Sequence, residues 1–172
     1  MLSLLPLLLS ATLTPPAPAA APSTFALLDS PYRHVRTTDK YLQALLRLGL
    51  QRSPTFASLI AQLNDTDVIV YLEPVQTLPT SLSGRLLLLP HDSSQRYLRI
   101  QVLASLGRTE LIALIGHELR HALEVAAEPG VRDQSALVQL YERIGQRSVK
   151  GHQYDTDAAQ DAGRAVRKEL VA

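Results

Sequence analysis

Residues 112–126 read Ile112-Ala113-Leu114-Ile115-Gly116-His117-Glu118-Leu119-Arg120-His121-Ala122-Leu123-Glu124-Val125-Ala126. Apolar side chains recur there at helical spacing around His117-Glu118-Leu119-Arg120-His121, an H-E-x-x-H pattern. In a helix, residues four apart differ by about 40° in direction and roughly 6 Å in height. His117 and His121 therefore project side by side, and both imidazoles reach one metal ion. Glu118 follows the first of them, where its carboxylate reaches a metal-polarised water without binding the metal itself. Two neutral imidazoles, one Zn2+ ion, a water and a carboxylate to take its proton are the parts of a zinc hydrolase. Unpaired imidazoles and a carboxylate in so apolar a helix would be costly to bury, and a shared metal ion supplies the partner.

The flanks of this stretch set its length. Thr109-Glu110 opens the helix, and Glu128-Pro129-Gly130 breaks it near Ala127. Upstream, Asp67-Val68-Ile69-Val70-Tyr71-Leu72-Glu73 is rich in β-branched residues and predicts a strand stopped by Pro74. Gly84-Arg85-Leu86-Leu87-Leu88-Leu89-Pro90 is a second apolar run. Arg96 to Leu103 alternates polar and apolar residues as a half-buried strand does. The short link between these last two predicts an antiparallel hairpin. The expectation is thus an α+β fold: a small antiparallel or mixed sheet of about three strands, packed with the H-E-x-x-H helix and further helices.

Those further helices have clear signals. One is expected over 37–50, capped by Thr37 or Thr38, with Tyr41, Leu42, Leu45 and Leu46 on its apolar face. Ser53-Pro54 opens the next, Ser at the N-cap and Pro at the first helical position, and Asn64-Asp65 ends it. Asp133 caps another, which Gly145 ends. After a polar loop over 146–153, a last helix is expected from near Asp155, with Ala158, Ala159, Ala162, Val166 and Leu170 on one face.

The whole chain narrows the chemistry. Its 172 residues suit one domain. With 17 basic and 16 acidic residues and no block of like charge, nothing points to nucleic acid. The absence of cysteine excludes disulfides, cysteine zinc knuckles, iron–sulfur clusters and a thiol nucleophile, so a zinc site must use His and carboxylates. Residues 1–19 resemble a secretory signal: an apolar run from Leu2 to Leu13, then small residues with Ala17-Pro18-Ala19 as the cleavage match. Export to a periplasmic or extracellular space is expected. No stable membrane anchor is expected, because the run is short and Pro6 interrupts it. Residues 20–36 are an entry segment, and 37–172 the single metal-binding domain.

A catalytic zinc normally has three protein ligands. Glu124, Glu142, Asp155 and Asp157 are the acidic candidates downstream. Glu124 shares a face with His121 but stands about 10 Å along the helix from His117. It is better placed to bond the outer nitrogen of His121, or an arginine, than to bind the metal. Asp155, in Tyr154-Asp155-Thr156-Asp157-Ala158-Ala159, is followed by small residues that allow close helix packing, and it can serve as ligand or as helix N-cap. Asp157 and Glu124 are the alternative ligands.

A helix bearing His117-Glu118-x-x-His121, followed by a helix with an acidic residue ahead of Ala158, resembles the gluzincin branch of the zincin metallopeptidases. The resemblance spans roughly residues 67–165. It implies that Asp155 is the third ligand, in the place usually held by Glu in a Glu-x-x-Ala context. It also implies that an edge strand ahead of the motif helix holds a peptide substrate by β-addition. The activity expected is zinc-dependent peptide hydrolysis with Glu118 as general base. Tyr154, His152 and Arg120 are the possible donors to the transition-state oxyanion. The alternatives are a catalytically inactive zincin-like protein that binds metal or a partner, and a metal-dependent hydrolase of a non-peptide bond.

Overall fold

The computed structural model describes residues 30–79, 82–90, 94–147 and 154–172. The expected export signal lies outside these residues, as does most of the entry segment. Among the described residues no helix is long and apolar enough to cross a membrane.

The described chain is α+β. It runs β1 (Val35–Arg36), α1 (Lys40–Arg52), α2 (Pro54–Asn64), β2 (Val68–Val75), β3 (Gly84–Leu88), β4 (Arg96–Leu103), α3 (Arg108–Ala126), α4 (Gln134–Ile144), β5 (Gln146–Arg147), β6 (Tyr154–Asp155) and α5 (Asp157–Val171). The main sheet has four strands, not three, in the order β1-β2-β4-β3. The extra strand is the two-residue β1, too short to leave a periodic signal. It lies parallel to β2, Val35 opposite Val70. β2 and β4 are also parallel, and β3 and β4 form the expected antiparallel hairpin. The sheet is therefore mixed, with β3 at the edge.

Pro74 does not end β2. Val75 turns its carbonyl to β4, where the Ala104 amide donates to it at 2.9 Å, and the Val70 amide donates to His34 of the other neighbour at 2.7 Å. Pro74 therefore faces the β1 side. β1 has already ended opposite Tyr71, so no ladder bond is lost there.

Val68, Val70 and Leu72 from β2 join Leu98, Ile100 and Val102 from β4 in one buried cluster. α2 and α3 complete it through Phe56, Ile60, Ile112, Ile115 and Leu119. The other sheet face carries the Tyr71–Tyr97 ring pair and the Arg99–Glu73 ion pair. Helix caps follow local chemistry. Ser53 accepts from the Phe56 amide and Asp133 from Ala136. For α1 the cap is Asp39, not Thr37 or Thr38; its carboxylate accepts from Leu42 at 2.8 Å. Tyr41, expected on the apolar face, is half exposed at 50%.

The motif helix is tied to the sheet at its C-terminal end by a buried arginine. Arg96, at the start of β4, is fully buried. Its guanidinium donates to both Asp67 oxygens, at 2.8 and 2.7 Å. It also donates to the carbonyls of Val125 (2.7 Å), Ala126 (3.1 Å), Glu128 (2.8 Å) and Val131 (3.4 Å). The last carbonyls of a helix have no partner within it, and a cation there also meets the negative end of the helix dipole.

Arg96→Ala takes the guanidinium donor from all four carbonyls, of which Val125 and Glu128 keep a backbone amide, removes the nearest counter-charge of Asp67 and leaves a cavity where the buried side chain stood. The expected loss is about 3–5 kcal/mol in urea unfolding, and a loss under 1 kcal/mol would contradict this role. Asp67 gives an independent check by pH. The Arg96 hydrogen bond holds its carboxyl below the ordinary 3.8, against the opposing effect of burial. A carboxylate lowered on folding stabilises above its unfolded value, and the effect is lost as pH falls through the folded one. The stability difference between wild type and Asp67→Asn is expected in full well above pH 3.8 and to vanish on further acidification.

Candidate metal centre

α3 and α5 pack closely because small residues meet at their crossing. A Cβ on Gly163 would stand 3.3 Å from the His117 Cβ and 3.4 Å from the Ala113 carbonyl oxygen. A Cβ on Gly116 would stand 2.9 Å from a Val166 methyl. Buried Ala159 and Ala162 extend the contact face of α5. Just before α5, Asp155 is held by the β5–β6 pairing, opposite Gln146.

This packing delivers Asp155 to the two imidazoles. One carboxylate oxygen, Oδ1, lies 3.5 Å from His117 Nε2 and 3.5 Å from His121 Nε2. The three ligand atoms all lie within 4.8 Å of one another, so His117, His121 and Asp155 form a group that can hold a metal ion. A tetrahedral ion with ligands at 2.0–2.1 Å keeps them about 3.3 Å apart. The observed N···O separations fit that span.

The partners of each ligand point the same way. His121 Nδ1 donates to Glu124 Oε2 at 2.9 Å, which turns Nε2 towards Asp155. His117 has a backbone hydrogen bond to Ala159, on its α5 side. Asp155 Oδ1 accepts from the Thr156 amide at 2.8 Å, and Oδ2 from the Gln160 side chain at 3.1 Å. Such partners fix imidazole tautomers and aim carboxylates.

Without a metal the cluster is strongly coupled. Burial acts to lower the His121 pKa, but Asp155, Glu124 and Glu118 outweigh it and raise it to about 9. Burial and the neighbouring His121 lower His117. Burial pushes Asp155 up, yet His121 and His117 bring it net below its ordinary value. The polar groups thus compensate one another, with carboxylates gathered round the imidazoles as they would be round a cation.

Glu118 stands apart from the ligand group. It is buried, 5% exposed, and burial raises its pKa to about 7. A Cβ on Gly84 would stand 2.6 Å from its Oε1 and 3.1 Å from a Leu114 methyl, so any side chain at that point of the edge strand β3 presses on the Glu118 carboxylate.

The centre opens on two clefts that share His117 and Asp155. One, of about 320 Å³, runs between β3 (Gly84, Leu86) and α4 (Leu137, Val138, Tyr141) and is also bordered by Glu118 and His121. The other, of about 360 Å³, lies between α3 and α5 and is bordered by Leu106, Leu114, Gly163, Arg164 and Arg167. No family model matches this chain, and no curated protein or solved structure matches it.

The remaining expected residues fall as follows. Asp157 is exposed in the first turn of α5 and is not part of the metal-binding group, and Glu142 is exposed on α4. Arg120 Nε lies 3.8 Å from Glu124 Oε1. His152 and the side chain of Tyr154 lie outside the described residues. The N-cap of α5 is Thr156 rather than Asp155, which leaves the Asp155 carboxylate for the imidazoles. Tyr141, Gln160 and Gly84 were not singled out by sequence. Tyr141 donates to the His121 carbonyl at 3.3 Å and meets its ring edge-on. Their signals are weak, because Tyr141 reads as a core residue and the others carry no motif.

Gly163→Val forces a branched side chain against His117. Overpacking of this kind costs about 1–3 kcal/mol, and displaced ligands bind metal more weakly. A metal titration is expected to show at least a tenfold loss of affinity. Wild-type affinity would mean that this contact does not position His117.

Proposed function

We propose that this chain is a zinc-dependent metallopeptidase of zincin type, with His117, His121 and Asp155 as ligands and Glu118 as general base. The observation that carries the reading is the single Asp155 oxygen placed 3.5 Å from both imidazole Nε2 atoms, beside a buried carboxylate that is not one of the three. The donor set, two nitrogens and one carboxylate oxygen, suits zinc and leaves a fourth position open. Bound there, zinc would polarise a water and a substrate carbonyl.

The chain's own residues have separable tasks. Glu118, buried and with its pKa near neutrality, can accept a proton from the attacking water and return it to the leaving amine. A cation nearby would pull that pKa down, favouring the base form. A purely structural site has no need of such a group. β3 offers a peptide the free side of an edge strand, since β4 occupies its other side. An extended chain added there would pass Gly84, hence Glu118, at the mouth of the β3–α4 cleft.

Purified protein is expected to hold about one zinc per chain. Glu118→Gln should retain the metal and lose at least about a thousandfold in peptide hydrolysis, while His121→Ala should lose the metal. Gly84→Ala presses on the carboxylate end of Glu118 and on a Leu114 methyl, both ends of side chains that can shift without moving backbone. It should stay folded and zinc-loaded yet lose roughly a hundredfold or more in rate. Unchanged zinc content in His121→Ala would overturn the site. Unchanged hydrolysis in Glu118→Gln would overturn the role of that carboxylate.

A further inference from the structure

Thr156 lies where the two halves of the ligand set meet. It is buried, 5% exposed, between β6 and α5. Its hydroxyl accepts from the Ala159 amide at 3.1 Å as the N-cap of α5. The same hydroxyl donates to Glu124 Oε1 at 2.7 Å. The other oxygen of Glu124 accepts from His121 Nδ1 at 2.9 Å. The Thr156 backbone amide meanwhile holds Asp155 Oδ1. One residue thus touches the third ligand directly and the second ligand through one carboxylate.

The geometry points to Thr156 as a positioning residue for the metal centre, its hydroxyl locking Glu124 and thereby the His121 imidazole. The inference rests on the metal-site reading above. An N-cap needs only an acceptor facing the first turn. Here the hydroxyl's proton is also used, on a carboxylate of the other helix. With one oxygen fixed by Thr156, the second is held 2.9 Å from His121 Nδ1, which leaves Nε2 to face Asp155 and the metal position. Loss of such an outer partner typically weakens metal binding 10–100-fold.

The test measures zinc dissociation constants by chelator competition, after the metal-free proteins have been checked for folding by circular dichroism and thermal unfolding. Thr156→Ser keeps both cap and proton and should bind within about threefold of wild type. Thr156→Val loses both and should bind about 10–100-fold more weakly. Should it not fold, Thr156→Gly removes the hydroxyl at little cost to the cap and should show the same loss. In a Glu124→Ala background, Thr156→Gly should weaken binding by less than about threefold, because the path through Glu124 is already cut. Wild-type affinity in the Val or Gly variant overturns the inference. So does a Gly effect that multiplies with that of Glu124→Ala, which is the mark of a cap acting alone. If wild type itself takes no zinc, the metal reading falls first, and this inference with it.

Discussion

The arrangement depends on one close approach, that of α3 to α5. Gly163 lets the second helix lie against the His117 side chain, and Gly116 makes room for Val166. Any larger residue at these points adds steric distance between the helices, and the site has little to spare. A carboxylate reaches only a few ångströms from its backbone, and its Oδ1 must lie near two nitrogens on another helix at once. The apolar packing of the crossing, with Ala159, Ala162 and Val166 buried, is what turns two sequence-distant segments into one constellation.

The polar groups within and around this core are held by a small number of shared partners. At one end of α3, Arg96 collects four carbonyls and the Asp67 carboxylate. In the last turn of the same helix, Glu124 joins His121 to Thr156. Elsewhere, Glu169 near the end of α5 accepts from Ser53 and Thr55 at the start of α2. Each contact fastens a helix end or a ligand to a different part of the chain. A charge left buried without its partner is costly, so the contacts of Arg96 and Glu124 help select one packing of the helices over its neighbours.

How much of this is legible in the sequence follows from range. The H-E-x-x-H spacing is local, and helix geometry alone sets His117 beside His121. The same holds for Glu124, three residues beyond. Ser53-Pro54 and Asp133 announce helix starts because capping is a matter of a single turn. The β3–β4 hairpin is legible because its link is short. The pairing of β2 with β4, and the addition of β1, join distant segments and leave no local trace. Pro74 was misleading for that reason: whether it breaks a strand depends on which neighbour it faces. Arg96 reads as one polar residue in an alternating strand, since the carbonyls it takes lie far along the chain. Asp155 and Thr156 are both good caps by type, and only the packed helix shows that the threonine takes the cap.

The central claim is that His117, His121 and Asp155 ligate one zinc ion, with Glu118 beside it but not bound. The direct measurement is the anomalous scattering of zinc-loaded crystals, which locates the ion without assumption about its ligands. The account predicts one peak per chain, bonded to His117 Nε2, His121 Nε2 and Asp155 Oδ1 at about 2.0–2.2 Å, with a fourth position towards Glu118. A peak ligated by Glu118 itself, by Glu124 in place of Asp155, or away from both imidazoles would contradict it.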